Sequence, residues 1–291
     1  MTCPSTFSIV AFDPQEQAWG VAVASKFLAV GSVVPWARAG AGAIATQSFA
    51  NTFFGPYGLG LMESGVSARE TLDRLITEDA ERHSRQVGVV DLHGEAATYT
   101  GEACHAWAGG VTGTGFAIQG NILAGAHVVE AMAQAYTQTT GFFPFRLHSA
   151  LLAGDRAGGD RRGRQSAAIY VVKAGGGYGG FNDRWVDYRV DDHPDPVIRL
   201  GELLHLHELY FGKSPADERV KLQGEVLSKL QRIMSQLGYY QGFPDGIYAE
   251  ETRIALEQFI GNENFEERID FKNGLLDQPV YDHLIQRFTG S

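Results

Sequence analysis

Two runs of β-branched, aromatic and small residues, Thr6 to Phe12 and Trp19 to Ala24, stand at the head of the chain with a polar turn at Asp13 to Gln17 between them. Their alternation reads as a β-hairpin, so whatever follows must build on a strand pair made at the start. Ala41 to Ser48 is small and apolar enough for a buried strand. Gln86 to Asp91 and Ala96 to Thr100 flank His93-Gly94 as a second hairpin, and Gly115 to Gln119 and Ser166 to Lys173 add two further strands. Between them, Leu59, Met62, Val66, Leu72 and Leu75 recur near helical spacing, with Ser67 and Glu70 forming a capping box. Val128 to Gln138 and Leu147 to Ala153 are also helical. Strands separated by paired helices suggest antiparallel sheets stacked with helices outside, rather than a regularly alternating parallel sheet.

The run Asp191 to Pro196 is a helix-start signal for Val197 to Tyr210, and polar Gly212 to Glu218, with Ser214-Pro215, reads as a linker. Beyond it, Leu222, Val226, Leu230, Ile233, Met234 and Leu237 mark one helix that Gly238 stops, and Glu251 to Phe259 forms another. The expected division is a domain over residues 1–211 and a small helical domain over 219–291.

The 291 residues are 44% hydrophobic, which suits a packed globular protein, and 34 acidic against 24 basic residues give a net charge of −10 without a basic block. That balance argues against nucleic acid as a partner. Two cysteines, Cys3 and Cys104, make neither a disulfide framework nor a metal spacing, so a reducing cytoplasm is expected. Neither a signal-like leader nor an apolar run of membrane-spanning length is visible, and no membrane is expected as a partner. His193, His205 and His207 draw attention as metal ligands, but the last two stand at i and i+2, which do not face each other on a helix. No metal or cofactor is expected.

Thr6, at the head of a strand, is where a fold using an N-terminal nucleophile places its hydroxyl. If its α-amine is free, with an unperturbed pKa of about 7.7 to 8.0, that amine can act as general base for a hydroxyl otherwise too weakly acidic to attack a carbonyl. A β-branched residue that simply begins a strand is the plainer alternative. The triple guanidinium run Asp160-Arg161-Arg162-Gly163-Arg164 suits either a carboxylate clamp or surface pairing with Asp187, Asp191 or Asp192.

The segments TFSIVAFD, WGVAVASKFLAVGSVVPWA, GAIATQSFAN, YGLGLMESG, QVGVVD, TGFAIQGNILAG and GGDRRGRQSAAIYVV resemble, in order, the motifs of a bacterial domain family of unknown function, number 1028, assigned to the N-terminal nucleophile (Ntn) hydrolase superfamily. The resemblance covers about Thr6 to Phe211. It implies an α+β fold, the four-layer αββα sandwich of the N-terminal nucleophile hydrolase type, and amide-bond hydrolysis of a small amide or peptide-like substrate. On that basis Thr6 is the nucleophile, Lys26 the basic side chain that lowers its pKa, and Gln47 or a neighbouring amide the oxyanion donor. Asn121 and Asp160 position the α-amine, and Ser25, Asn51, Arg162 and Arg164 bind substrate. Family members commonly begin Met-Thr-Phe-Ser, whereas here Met1-Thr2-Cys3-Pro4-Ser5 precedes Thr6, so a cut at Ser5–Thr6 is expected; Thr2 and Cys3 are rival nucleophiles. A non-catalytic protein that binds a metabolite or partner on the same fold is the alternative.

The segment LQRIMSQLGYYQGFPDGIYAEETRIALEQF resembles a peptidoglycan-binding module, which implies a small all-α C-terminal domain. Tyr239, Tyr240 and Tyr248 would stack on sugar or peptide, or else pack a helical core. A peptidoglycan fragment or a protein is the expected partner there, and Phe142-Phe143-Pro144-Phe145 is a candidate homodimer surface.

Overall fold

The computed structural model of the chain describes residues 6–212 and 214–290. Thr2, Cys3 and the residue preceding Thr6 lie outside the described residues. The chain divides into two compact units, Met1–Leu204 and His205–Ser291.

The first unit begins with the expected hairpin, β1 (Thr6–Asp13) and β2 (Ala18–Ser25), followed by β3 (Pro35–Arg38), β4 (Gly42–Ser48), α1 (Phe54–Glu63) and α2 (Ala68–Thr77). A second hairpin, β5 (Arg85–Asp91) and β6 (Ala96–Thr100), leads to β7 (Gly109–Gly113) and β8 (Phe116–Asn121). Helices α3 (His127–Gln138) and α4 (Phe143–Arg156), strands β9 (Ser166–Lys173) and β10 (Arg184–Val190), and helix α5 (Pro196–Phe211) complete it, α5 running on into the second unit. Ser67 caps α2 by accepting the Glu70 N–H, as the capping box predicts. The edge strands β3, β7 and β10 escape the sequence reading, because their short runs are only half-buried and carry no continuous apolar signal.

Both sheets are antiparallel, in the orders β10-β9-β2-β1-β8-β7 and β3-β4-β5-β6. Strand alternation sorts their side chains into three apolar layers. Phe7, Ile9 and Ala11 pack with Met132, Leu147 and Leu151 of α3 and α4. Val10, Val21, Ala43, Ala45, Val90 and Ala117 fill the space between the sheets. Ile44, Val87 and Val89 pack with Met62, Leu72 and Leu75 of α1 and α2. The unit is therefore α+β, with two face-to-face antiparallel sheets covered by helices. The Phe142–Phe145 segment packs within its own chain: Phe143 is fully buried, and Phe142 meets Trp185 edge-on at 5.3 Å.

The second unit holds α6 (Gly224–Gln236), α7 (Glu250–Asn262) and α8 (Gln278–Thr289) around Leu230, Met234, Leu256, Phe259, Leu276 and Leu284. It is not all-α. Strands β11 (Arg219–Lys221), β12 (Ile269–Asp270) and β13 (Leu275–Asp277) form a three-stranded sheet in the order β11-β13-β12. Runs of two or three residues are too short to carry a period, which is why the sequence alone suggests only helices. Asp277 on β13 accepts from buried Arg268 at 2.6 Å and lies 2.9 Å from Arg219 as an ion pair, and Arg268 also donates to the Glu208 and Leu209 carbonyls, tying the sheet to the end of α5. Among the described residues, no helix is long and apolar enough to cross a membrane.

His207 is buried, and loss of hydration lowers its pKa from 6.5 to about 4. In the unfolded chain the imidazole regains its ordinary affinity, so from about pH 6.5 down to about 4 the unfolded form binds a proton that the folded form does not. Stability from this group is complete above that window and is lost as pH falls through it. Thermal unfolding at pH 7, 6, 5 and 4.5 should show a falling melting temperature for the transition containing the second unit, and His207→Gln should flatten the profile.

Candidate active site

Thr6 is the first residue of the central strand β1, paired in register with Ser25 on β2 and Asn121 on β8. It shares the strand face of Ser8, Val10 and Phe12, so its side chain belongs to the layer between the sheets. There it is 1% exposed, and its hydroxyl lies 3.2 Å from the Ser25 hydroxyl.

The same face carries a run of buried polar side chains on four strands: Ser8, Gln47, Gln86, Gln119 and Asn121, each 0 or 1% exposed. Gln47 joins them. Its amide nitrogen donates to Gln86 Oε1 at 2.8 Å and to the Thr6 carbonyl at 3.3 Å, while its Oε1 accepts the Ser8 hydroxyl at 2.6 Å. Gln119 donates to Ser8 Oγ at 2.6 Å, and Asn121 Nδ2 to Gln86 Oε1 at 2.9 Å. Gln86 Nε2 in turn reaches the Gly120 carbonyl at 2.8 Å and the Thr100 hydroxyl at 2.9 Å. Buried amides are costly unless hydrogen-bonded, so these residues hold one another in place and fix the peptide of Thr6. Gly88 on β5 leaves room for them, since a Cβ there would stand 2.1 Å from Gln119 Oε1.

Thr6, Gln47, Ser48 and Arg85 border a cleft of about 450 Å³ whose remaining walls are Phe27, Val30, Val33, Val34, Phe49 and Ala50. Ser48 ends β4 with φ 65°, a left-handed conformation uncommon for serine and a form of strain that concentrates at functional sites. Arg85 donates through Nε to Asp79 at 2.8 Å and through a terminal nitrogen to the Phe49 carbonyl at 2.7 Å. This hydrogen bond is the largest cause holding the Asp79 carboxyl below its usual range. Asn51 donates to Asp79 at 3.1 Å and accepts the Phe53 N–H, so it shapes the loop behind the cleft.

Of the other expected residues, Ser25, Asp160 and Arg164 border a second cleft of about 410 Å³ together with Asp155. Asp160, 7% exposed, accepts the Lys26 backbone N–H at 2.7 Å and the Arg162 N–H at 2.8 Å, and fastens this loop to the end of β2. The exposed Lys26 ammonium donates to the Arg164 carbonyl at 3.1 Å, whereas the side chain hydrogen-bonded to the Thr6 hydroxyl is Ser25. Arg162 pairs with Asp160, and Arg164 with Asp155 and Asp195. These are not the carboxylates the sequence suggests: Asp187 and Asp191 pair with Arg184 and Arg189, nearby on their own segment, and Asp192 accepts from Gln165. Sequence reasoning passes over Ser8, Gln86, Arg85 and Asp79. The signal for the first two is a polar residue on the buried face of an otherwise apolar strand.

In the second unit Tyr240 is buried, with its hydroxyl donating to the Phe243 carbonyl, Tyr239 packs on Phe259, and Tyr248 donates to the Phe271 carbonyl at 2.9 Å. Tyr239 and Tyr240 are core residues; Tyr248 also borders a cleft with Glu250, Arg253 and Lys272. Buried Gln231 accepts the Gly246 N–H at 2.8 Å and donates to Asp245 and Thr252, holding the loop between α6 and α7. Among the described residues, no group of three or more His, Cys, Asp or Glu side chains could hold a metal ion.

Residues 6–200 match the model of a family of unknown function, DUF1028, and residues 210–284 match the model described as "Putative peptidoglycan binding domain". A crystal structure of a DUF1028 protein from Silicibacter pomeroyi is similar at 32% identity with a TM-score of 0.64, covering 70% of this chain and 89% of that one. No curated protein matches the chain.

Gly88→Ala should destabilise the protein by about 1–3 kcal/mol, because the added methyl displaces Gln119 and breaks hydrogen bonds that no water can replace. Chemical denaturation measures the loss, and a Gly60→Ala change, at an exposed position of α1 where a Cβ meets nothing within 4 Å, is the control for adding a methyl without a clash.

Proposed function

The chain belongs to the DUF1028 family, and from that premise we propose that its first unit is an amidohydrolase of the Ntn type in which Thr6 is the nucleophile. One observation carries the reading: a threonine hydroxyl at the head of the central strand, 3.2 Å from a serine hydroxyl and bordering a cleft. In this reading the αββα sandwich of that superfamily is the scaffold, and cleavage of the Ser5–Thr6 bond frees the α-amine. The amine takes the Thr6 hydroxyl proton as the oxygen attacks the amide carbonyl carbon. Backbone N–H groups at the end of β4 stabilise the oxyanion. The C–N bond breaks, the leaving amine carries away the proton, and water hydrolyses the acyl ester to restore Thr6. Ser25 relays or orients the proton, and the Gln47 amide on the Thr6 carbonyl keeps the nucleophile in register. Asn121 and Asp160 position the segment around Thr6, while Arg162 and Arg164 shape the neighbouring cleft rather than clamp substrate directly. The second unit is a docking module for a peptidoglycan fragment or a protein.

Intact-mass spectrometry and N-terminal sequencing of protein from its native host should find a chain that begins at Thr6. Against a panel of fluorogenic amides, Thr6→Ala should lower turnover by about 10³-fold or more, and Ser25→Ala by about tenfold. A native chain still carrying residues ahead of Thr6, with ligand binding but no turnover, would move the assignment to a non-catalytic binding protein on the same fold.

A further inference from the structure

The Thr6 cleft differs in kind from its neighbour. The cleft at Ser25 is bordered by four charged side chains, Asp155, Arg156, Asp160 and Arg164. Among the described residues, the cleft at Thr6 has one, Arg85, with side-chain exposure of 16%. That guanidinium is already matched by Asp79, whose carboxyl Arg85 itself holds below the usual range, so the pair remains ionised and adds no net charge at neutral pH. Besides the uncharged polar Thr6, Gln47 and Ser48 at one end, the other walls are two phenylalanines, three valines and an alanine. The wall formed by Phe27 and Val30 is fixed from behind: the Ser166 hydroxyl accepts the Val30 N–H at 3.0 Å and donates to the Phe27 carbonyl. A charged group entering such a space loses hydration without a free partner to compensate, whereas an apolar group gains by the area it buries.

We propose that the substrate of this site is an amide with an uncharged aliphatic or aromatic acyl group, which fills the cleft and presents its carbonyl carbon to the Thr6 hydroxyl. The proposal rests on the reading of Thr6 as nucleophile, because it is the acyl side of the amide that becomes bonded to Thr6. Specificity then comes from Phe27, Phe49 and the valines, and the leaving amine is left toward solvent and is not selected.

Two readouts separate this inference from the hydrolase reading. In the first, full-length chain with Thr6 as its N-terminal residue is assayed on the hexanoyl, phenylacetyl, glutaryl and 6-aminohexanoyl amides of 7-amino-4-methylcoumarin. The neutral acyl groups should be cleaved with kcat/KM at least about tenfold above the charged ones. In the second, phenylacetamide binding is measured by calorimetry on the uncleaved chain, on Thr6→Ala, and on Phe27→Glu and Phe49→Glu, two positions 38% and 36% exposed where a polar side chain should not disturb folding. The first two forms should bind alike, and each glutamate variant about tenfold more weakly at an unchanged unfolding temperature. Binding without hydrolysis supports the apolar cleft and removes the nucleophile. Hydrolysis that favours glutaryl or aminohexanoyl amides keeps the nucleophile and overturns the cleft's selectivity. Neither binding nor cleavage of the neutral amides, or glutamate variants that bind like the parent, also overturns it.

Discussion

The interlocked amides of Gln47, Gln86, Gln119 and Asn121 are the constraint on which the first unit depends. Two apolar sheet faces could slide over one another at little cost, since hydrophobic contact is not directional. Hydrogen bonds between buried amides permit one register only, because a slip would leave several donors and acceptors without partners in a dry layer. The polar run is confined to one end of the strands, with Val10, Ala45, Val90 and Ala117 filling the remainder of the same layer. The apolar part gives the sheets a reason to associate, and the polar part fixes how.

That same end is where Thr6 stands. Its carbonyl is held by Gln47, its hydroxyl by Ser25, and its strand by neighbours on both sides. In the role proposed for it Thr6 gains from this, because a nucleophile reacts best when little motion separates its resting position from the reacting one. The cleft in front is bordered by loops after β2 and β4, which vary more freely than the strands that carry the threonine. In the proposed reading, position comes from the strands and selectivity from the loops.

The second unit repeats the device on a smaller scale. Gln231, 0% exposed, holds the loop between α6 and α7 through the Gly246 N–H, and the Arg268–Asp277 pair ties the short sheet to the end of α5. An ion pair this deeply buried is weak evidence for added stability, yet its directional bonds specify how the sheet and helices meet.

The sequence by itself determined the elements with a strong period or a continuous apolar run: the opening hairpin, β4, β5 and β6, β9, and the helices from α1 to α7 all follow from alternation, 3.6-residue spacing or caps. Through motifs whose order carries a family resemblance it also proposed Thr6, Lys26, Gln47, Asn121 and Asp160 as one site with Ser25 beside it, and the fold puts Ser25 and Gln47 against Thr6 but the Lys26 ammonium on the Arg164 carbonyl. The edge strands and the three-stranded sheet of the second unit were not legible, because half-buried or three-residue segments have no period to detect. Nor were the partners of Lys26, Arg162 and Arg164, which surface charge could satisfy in several ways and only the path of the loops decides. Gln86 and Ser8 gained their meaning from tertiary structure alone: a buried polar side chain is defined by what lies across the sheets from it, and Gln47 and Gln119, 39 and 111 positions from Ser8, and Gln47 and Asn121, 39 and 35 from Gln86, supply those partners.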